Sequence, residues 1–215
     1  MILDDALAAV VLAGGRGRRI GGGKHTQRLA GRPLIEHVLD RLKPQVSRLL
    51  VNGPAGDEAL ERPGLPVIAD AVPGRRGPLA GVLGTMDWLA TEAPECRWLL
   101  SVPVDVPFLP GDLVAKLAAA LNDGEAEIAC AGSAGIVHPV IALTPLRLRA
   151  DLSRMVRNED GRKVRDWLGC RRTRVVLWPA DELDPFFNVN LPDDLAAAEA
   201  HLAQVGSRDD RIGAA

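Results

Sequence analysis

The chain has 215 residues, 47% hydrophobic and 25% charged, enough for one substantial α/β domain and too few for two with a linker. A net charge of -2 supplies no basic excess to hold a duplex, and three Phe, four Trp and no Tyr leave few platforms on which single-stranded bases stack, which argues against nucleic acid as a partner. The three cysteines, Cys96, Cys130 and Cys170, are odd in number and far apart, so they fit reduced thiols used in packing better than a disulfide framework or a zinc site.

In chain order, the first apolar run is Ala8–Leu12. Asp4 and Asp5 precede it where a secretory leader carries positive charge, and it runs straight into glycine, so it reads as a strand of a cytoplasmic protein. No segment approaches the length of a membrane span, and no membrane partner is expected. Then comes "LAGGRGRRIGGGKHTQRLAGRPL", residues 12–34, in which glycine clusters alternate with Arg16, Arg18, Arg19 and Lys24 before a helix expected to begin at Pro33. Glycine loses more backbone entropy on ordering than any other residue, so this loop needs a compensating interaction. Its backbone N–H groups are free to approach an anion, with mobile positive charge beside them, and the target is a phosphate chain. Neither G-x-x-x-x-G-K-[ST] nor a complete G-x-G-x-x-G opening a helix is present, which points to a different phosphate-binding family. The competing reading is a surface loop that is merely basic.

Helical spacing follows at Leu34, Val38, Leu39 and Leu42, and strand runs at Arg48–Val51 and Pro66–Ala69 end at Asn52 and Asp70. A second helix is marked by Leu79, Val82, Leu83, Met86 and Leu89 behind "GPLAG", and the run Trp98–Val102 leads into "SVPVDVPFLP". Leu113, Leu117 and Leu121 mark a third helix, and Glu127–Ala131, Pro139–Leu143 and Arg174–Trp178 complete the strands. From 206 onward the apolar period is lost, so 1–205 reads as a single domain and 206–215 as a disordered tail.

Strands alternating with helices predict an α/β fold with a doubly wound, mostly parallel sheet and helices on both faces, because parallel strands need crossover connections. Such sheets bind ligands at the carboxyl ends of their strands, where neighbouring crossovers diverge. Asn52 and Asp70 are each ordinary turn formers, but in a parallel sheet both emerge at the edge that carries the glycine loop, where an amide and a carboxylate can read a base or a sugar. Asp105 is framed by three prolines as it leaves a strand and is suited to Mg²⁺, which takes one or two protein carboxylates plus substrate phosphates; a turn carboxylate without a metal is the other reading. Asn188 and Asn190 precede a helix expected to start at Pro192, where Asn190 also suits a cap. His138, expected to open a strand, reads as a structural hydrogen-bonding residue before a catalytic base.

In order along the chain, "VLAGGRGRRIGG", "GRPLIEHVLDRL", "LLVNG", "PVIAD", "GPLAGVL", "SVPVDVPFLP", "HPVIAL" and "FFNVNLPDDL" resemble the molybdenum cofactor guanylyltransferases, within the Rossmann-like nucleotidyltransferases. The resemblance implies a Mg²⁺-dependent enzyme that moves GMP from GTP onto the terminal phosphate of the molybdopterin cofactor, with cofactor-delivery proteins and molybdoenzyme chaperones as protein partners. By that resemblance Leu12, Ala13, Gly14 and Gly15 meet the nucleotide through backbone, and Arg19 and Lys24 hold the phosphates. Asn52 and Asp70 meet base or ribose, Asp105 binds Mg²⁺, and Asn188 and Asn190 face the pterin. The chain departs from the family pattern at "GGGKHTQRL", one residue shorter than usual, with Gly23 where an Asp is expected and His25, Thr26 and Gln27 after the lysine. Counting back from Gly31-Arg32-Pro33-Leu34 puts Lys24 on the family lysine, and Gly23→Asp is expected to restore the acidic residue and tighten the loop. The alternatives are a cytidylyltransferase for the same cofactor, another nucleotidyltransferase of this fold, or a nucleotide-binding protein without catalysis.

Overall fold

The computed structural model describes every residue except 1–5, 15–22, 74–76, 158–162, 182 and 213–215. At its centre is β1 (Leu7–Leu12), an all-buried strand whose alternate side chains enter opposite layers. Leu7, Ala9 and Val11 pack beneath α1 (Leu34–Leu42) and α4 (Leu113–Ala119), while Ala8, Val10 and Leu12 pack beneath α3 (Pro78–Glu92), α5 (Arg149–Arg157) and α6 (Val164–Gly169). A strand covered on both faces has no polar side to expose, which is why its sequence is a continuous apolar run.

β1 pairs in parallel with β4 (Arg48–Asn52) on one side and with β6 (Trp98–Pro103) on the other, and β4 pairs in parallel with β5 (Val67–Ile68). The chain therefore steps outward from β1 to β4 to β5, then α3 carries it back across to β6. The two directions diverge between β1 and β6, and that is the switch point where open α/β sheets form their ligand crevice. Beyond β6 the sheet continues β8-β7-β9, with strands β7 (Ile128–Ser133), β8 (Ile136–Pro145) and β9 (Thr173–Trp178).

The mostly parallel, doubly wound reading holds, with one local difference. The runs around Ala131 and Pro139 are two arms of a hairpin, so β8 lies antiparallel to both β6 and β7. Ala134 (φ 47) and Gly135 (φ 75) form its two-residue turn, and positive φ at both positions suits the twist of the flanking strands. β8 starts at Ile136, so His138 lies inside the strand instead of opening it. Pro139 has no N–H for a ladder, and the pairing register shifts between Cys130 and Ala131 where it would otherwise need one.

A second, small ribbon follows the glycine loop: β2 (Arg28–Leu29) and β3 (Arg32–Pro33) turn through Ala30 (φ 48) and Gly31 (φ 79). Leu29 and Leu34 from this corner pack with Val189 and Ala198 in a satellite core that draws in α7 (Pro192–Ile212). α1 begins at Leu34, one residue later than expected, with Pro33 as its extended N-terminal cap. The backbone of α7 runs to Ile212, so residues 206–212, expected as a disordered tail, are helical. Among the described residues no helix is long and apolar enough to cross a membrane.

Two of the three thiols match the packing expectation: Cys96 and Cys130 are buried, but Cys170 is exposed beyond the end of α6. Burial pushes the Cys130 thiol up to about 12, and burial also raises Cys96. Iodoacetamide labelling at neutral pH is expected to modify Cys170 alone in the native protein and all three cysteines in urea. Native modification of Cys130, read by peptide mass, would contradict this core.

Candidate active site

The register places Leu12 level with Asn52 on one side and with Pro103 on the other. Since neighbouring strands lie about 4.8 Å apart, the ends of β4 and β6 flank the start of the glycine loop across roughly 10 Å. The Ala13 N–H donates to the Asn52 carbonyl at 2.8 Å, and the Val104 N–H donates to the Leu12 carbonyl at 3.2 Å. The sheet thus continues one residue past β1, and Gly14 is the first residue whose N–H has no partner among the described residues.

On the β4 side, the buried Asn52 amide donates to the Ile68 carbonyl at 2.9 Å and to Asp70 Oδ1 at 3.1 Å. Both of its N–H groups are therefore engaged, and what is left for a ligand is acceptors, the half-buried Asp70 carboxylate and the Asn52 Oδ1. Through its N–H groups Asn52 braces Asp70. One glycine, Gly81, makes the arrangement possible. A Cβ on Gly14 would stand 3.7 Å from Asn52 Oδ1 and 3.9 Å from Asp70 Oδ1, whereas one on Gly81 would overlap the Asn52 side chain, with Nδ2 at 3.0 Å and Oδ1 and Cγ closer still. The "GPLAG" segment thus has a steric reason at its second glycine. Sequence reading picked out the motif without assigning Gly81 a role, because the side chain it accommodates comes from a strand 29 positions away.

On the β6 side, Asp105 is buried, and Lys24 Nζ donates to its Oδ2 and to Asn190 Oδ1. Asp105 Oδ1 is buried with no hydrogen-bond partner among the described residues. The Val189 N–H donates to the Asp105 carbonyl at 2.8 Å, and the Asp194 carboxylate accepts from the N–H groups of Asn190 and Leu191 at 2.9 and 2.8 Å. The cap at the start of α7 is therefore Asp194 reaching back, which frees the Asn190 side chain for Lys24. Asn188 is exposed two residues earlier.

The segment carrying these asparagines is anchored behind the site. Ser133 Oγ lies 2.7 Å from both Asp184 oxygens and 2.7 Å from His138 Nε2. A carboxylate only accepts and a hydroxyl has one proton, so Ser133 donates to Asp184 and accepts from His138 Nε2–H. Asp184 also accepts from the Phe186 N–H at 2.8 Å, and the ring of Phe186 packs against His138 and Trp178. His138 is structural, as its sequence context suggested. Ser133 and Asp184 were missed because nothing local pairs residues 51 apart.

Lys24 itself sits in a single helical turn, Lys24–Thr26, with the buried His25 ring 3.1 Å from Asp57 Oδ2. Asp57 caps α2 (Glu58–Glu61) by accepting from the Ala59 N–H at 3.1 Å. A Cβ on Gly23 would overlap the His25 ring, with Nδ1 at 2.8 Å, so the expectation that Gly23→Asp tightens the loop is corrected: the ring already fills that space. Arg16, Arg18, Arg19 and Gly15 lie outside the described residues. Of the other sequence-derived candidates, the structure gathers Lys24, Asp105 and Asn190 into one contact and Gly14, Asn52 and Asp70 into a second. The end of β1 lies between them.

A glycine corner at the switch point, a carboxylate on either side and a lysine between a buried carboxylate and an asparagine fit the Rossmann-like nucleotidyltransferase class. The fold has solved counterparts: a molybdopterin-guanine dinucleotide biosynthesis protein A from Archaeoglobus fulgidus superposes with a TM-score of 0.70 at 23% identity, covering 92% of this chain and 99% of that one. The model of the MobA-like NTP transferase domain matches residues 9–175, and the chain belongs to that family. A molybdenum cofactor guanylyltransferase of Rhodopseudomonas palustris (strain BisB5) is 48% identical over 96% of this chain and 97% of its own length. Another, from Bradyrhizobium sp. (strain ORS 278), is 45% identical over 95% and 96%.

Two substitutions check this geometry. Alanine in place of a helix-interior glycine ordinarily stabilises by about 1 kcal/mol. At Gly81 the clash with Asn52 is expected to reverse the sign and destabilise by about 1–3 kcal/mol, read from urea melts of Gly81→Ala. Burial is the larger influence on His138 and lowers it from the ordinary imidazole value of 6.5, against the opposing charge of Asp184. The unfolded chain therefore binds the proton first, so this stabilising contribution is complete above about pH 6.5 and is lost as pH falls toward the lowered native value. Melting temperatures of His138→Gln are expected to fall less than those of wild type between about pH 7.5 and pH 5.

Proposed function

We propose that the chain transfers GMP from GTP to the terminal phosphate of the molybdopterin cofactor, releasing pyrophosphate. The observation that carries this reading is the contact of Lys24 with Asp105 and Asn190 at the switch-point crevice. It joins a phosphate-binding cation, a metal-binding carboxylate and the segment assigned to the acceptor. The names of the relatives, at 45 to 48% identity over nearly the whole chain, supply guanine and the cofactor.

Asp105 fits a divalent cation. Its buried Oδ1 lacks a partner among the described residues, and those residues contain no cluster of three or more His, Cys, Asp or Glu able to cage a metal alone. That donor set suits Mg²⁺, which takes one or two carboxylates and completes its shell with phosphate oxygens and water. Asp105 would hold the ion, which when bound offsets charge on the phosphates under transfer.

The remaining work belongs to the chain. The Gly14 N–H, without a partner among the described residues, donates to a phosphate oxygen. Lys24 exchanges its contact with Asp105 for the triphosphate and offsets charge on the leaving pyrophosphate. Asn190 and Asn188 hold the acceptor, so that two anionic groups that repel each other meet in line. Asp70, braced by Asn52, accepts from base or ribose. The acceptor phosphate is already ionised, so no general base is required, in keeping with a His138 committed to structure.

The test is pyrophosphate release with Mg²⁺, the molybdenum-loaded cofactor and each of GTP, CTP, ATP and UTP. GTP is expected to be preferred by at least about tenfold, since each unsatisfied buried polar group costs about 1–3 kcal/mol with the wrong base. Asp105→Asn is expected to lower GTP-dependent release by about 10²-fold or more, with circular dichroism checking that the variant remains folded. Equal use of CTP would assign the chain to cytidylyl transfer, and nucleotide binding without release would leave a non-catalytic binding protein.

A further inference from the structure

We propose that His25 and Asp57 form a clamp that sets the position of Lys24. The inference rests on the reading of Lys24 as a triphosphate ligand and concerns two residues outside the reacting groups. Gly23 has φ -66 and ψ 134, a conformation open to any residue, so its backbone does not require glycine. Space does: a Cβ there would overlap the His25 ring. Gly23 and His25 are thus a matched pair, the absence of one side chain making room for the other. The ring is 6% exposed, and its Nδ1 is buried with no partner among the described residues. The ring therefore spends its polar capacity on one contact, Nε2 to Asp57 Oδ2 at 3.1 Å.

Asp57 makes a rigid anchor because its other oxygen caps α2, which packs Leu60 into the core beside Gly53 at the end of β4. The clamp therefore ties the loop to the β4 side of the crevice, while Lys24 points to Asp105 on the β6 side. A single turn with two backbone hydrogen bonds, from Thr26 N–H to Gly23 at 3.1 Å and from Gln27 N–H to Lys24 at 3.3 Å, has little stability of its own. Held at His25, it presents Lys24 already aimed, and binding need not also supply the ordering of the loop. His25 and Asp57 are positioning residues that act through Lys24.

The test uses Asp57→Ser, since serine caps a helix as well as aspartate does but leaves His25 without its partner. Hydrogen exchange in the nucleotide-free full chain is expected to show faster exchange at Thr26 and Gln27, with α2 still protected. Unchanged exchange at these two amides overturns the proposal whatever the nucleotide specificity. Titration with Mg²⁺ and GTP is then run on wild type, Asp57→Ser, Lys24→Ala and the double variant. Asp57→Ser is expected to weaken binding about tenfold in the wild-type background and hardly at all once Lys24 is gone, because an effect transmitted through one side chain vanishes with it. Equal weakening in both backgrounds would make the clamp a general structural feature and overturn the proposal. If wild type binds another nucleoside triphosphate and not GTP, the guanylyl reading fails while the same cycle, run with that nucleotide, still decides the clamp.

Discussion

A carboxylate buried at the end of a strand has to find a cation, and Asp105 finds Lys24. The contact spans 81 positions of sequence, and the same ammonium reaches Asn190 across 166, so three distant segments meet in one polar junction. A charge left alone in so buried a place carries a penalty of several kcal/mol, which makes the closed arrangement the resting state. The junction also presets the site, because the lysine that neutralises Asp105 in the free protein is the group available to neutralise a phosphate.

Around that junction the scaffold works by omission. Gly81 lets the Asn52 side chain lie against α3, and Gly23 lets the His25 ring lie against the loop. At each glycine a polar side chain uses the space a Cβ would take. The satellite core of Leu29, Leu34, Val189 and Ala198 does a related job at larger scale, since it brings the ribbon after the glycine loop and the start of α7 to the same wall. The Glu199 carboxylate accepts from the Ala30 N–H at 3.3 Å and adds a polar stitch between them. Lys24 and Asn190 therefore approach Asp105 from two elements that also pack on each other.

Much of the sheet was legible in advance. All seven apolar runs are strands: β1 is apolar along its length because it is buried on both faces, while the edge strand β9 leaves Val175 and Leu177 exposed, and the three periodic helices are present as well. The elements that escaped notice are short or weakly patterned. α2 has four residues, the β2–β3 ribbon two per strand, and α5 and α6 alternate charge with apolar residues too briefly for the period to stand out. The hairpin of β7 and β8 was read as two strands without its turn, because "SAG" carries only one glycine and Ala134 takes the left-handed conformation with a Cβ.

What the amino-acid sequence determined by itself was the kind of chemistry and where along the chain it falls. Polar residues directly after apolar runs could serve only one edge of a parallel sheet, and the order of motifs named the family. What the tertiary structure alone decided was how those residues divide the labour. Asn52 turned out to be a brace whose N–H groups are already engaged, Asp105 a carboxylate with one oxygen paired and one without a partner, and Gly23 the space for a histidine held by Asp57. Residue type and spacing record what a side chain is able to bond. Which of its bonds are already made depends on neighbours tens of residues away, and that information exists only once the chain has folded.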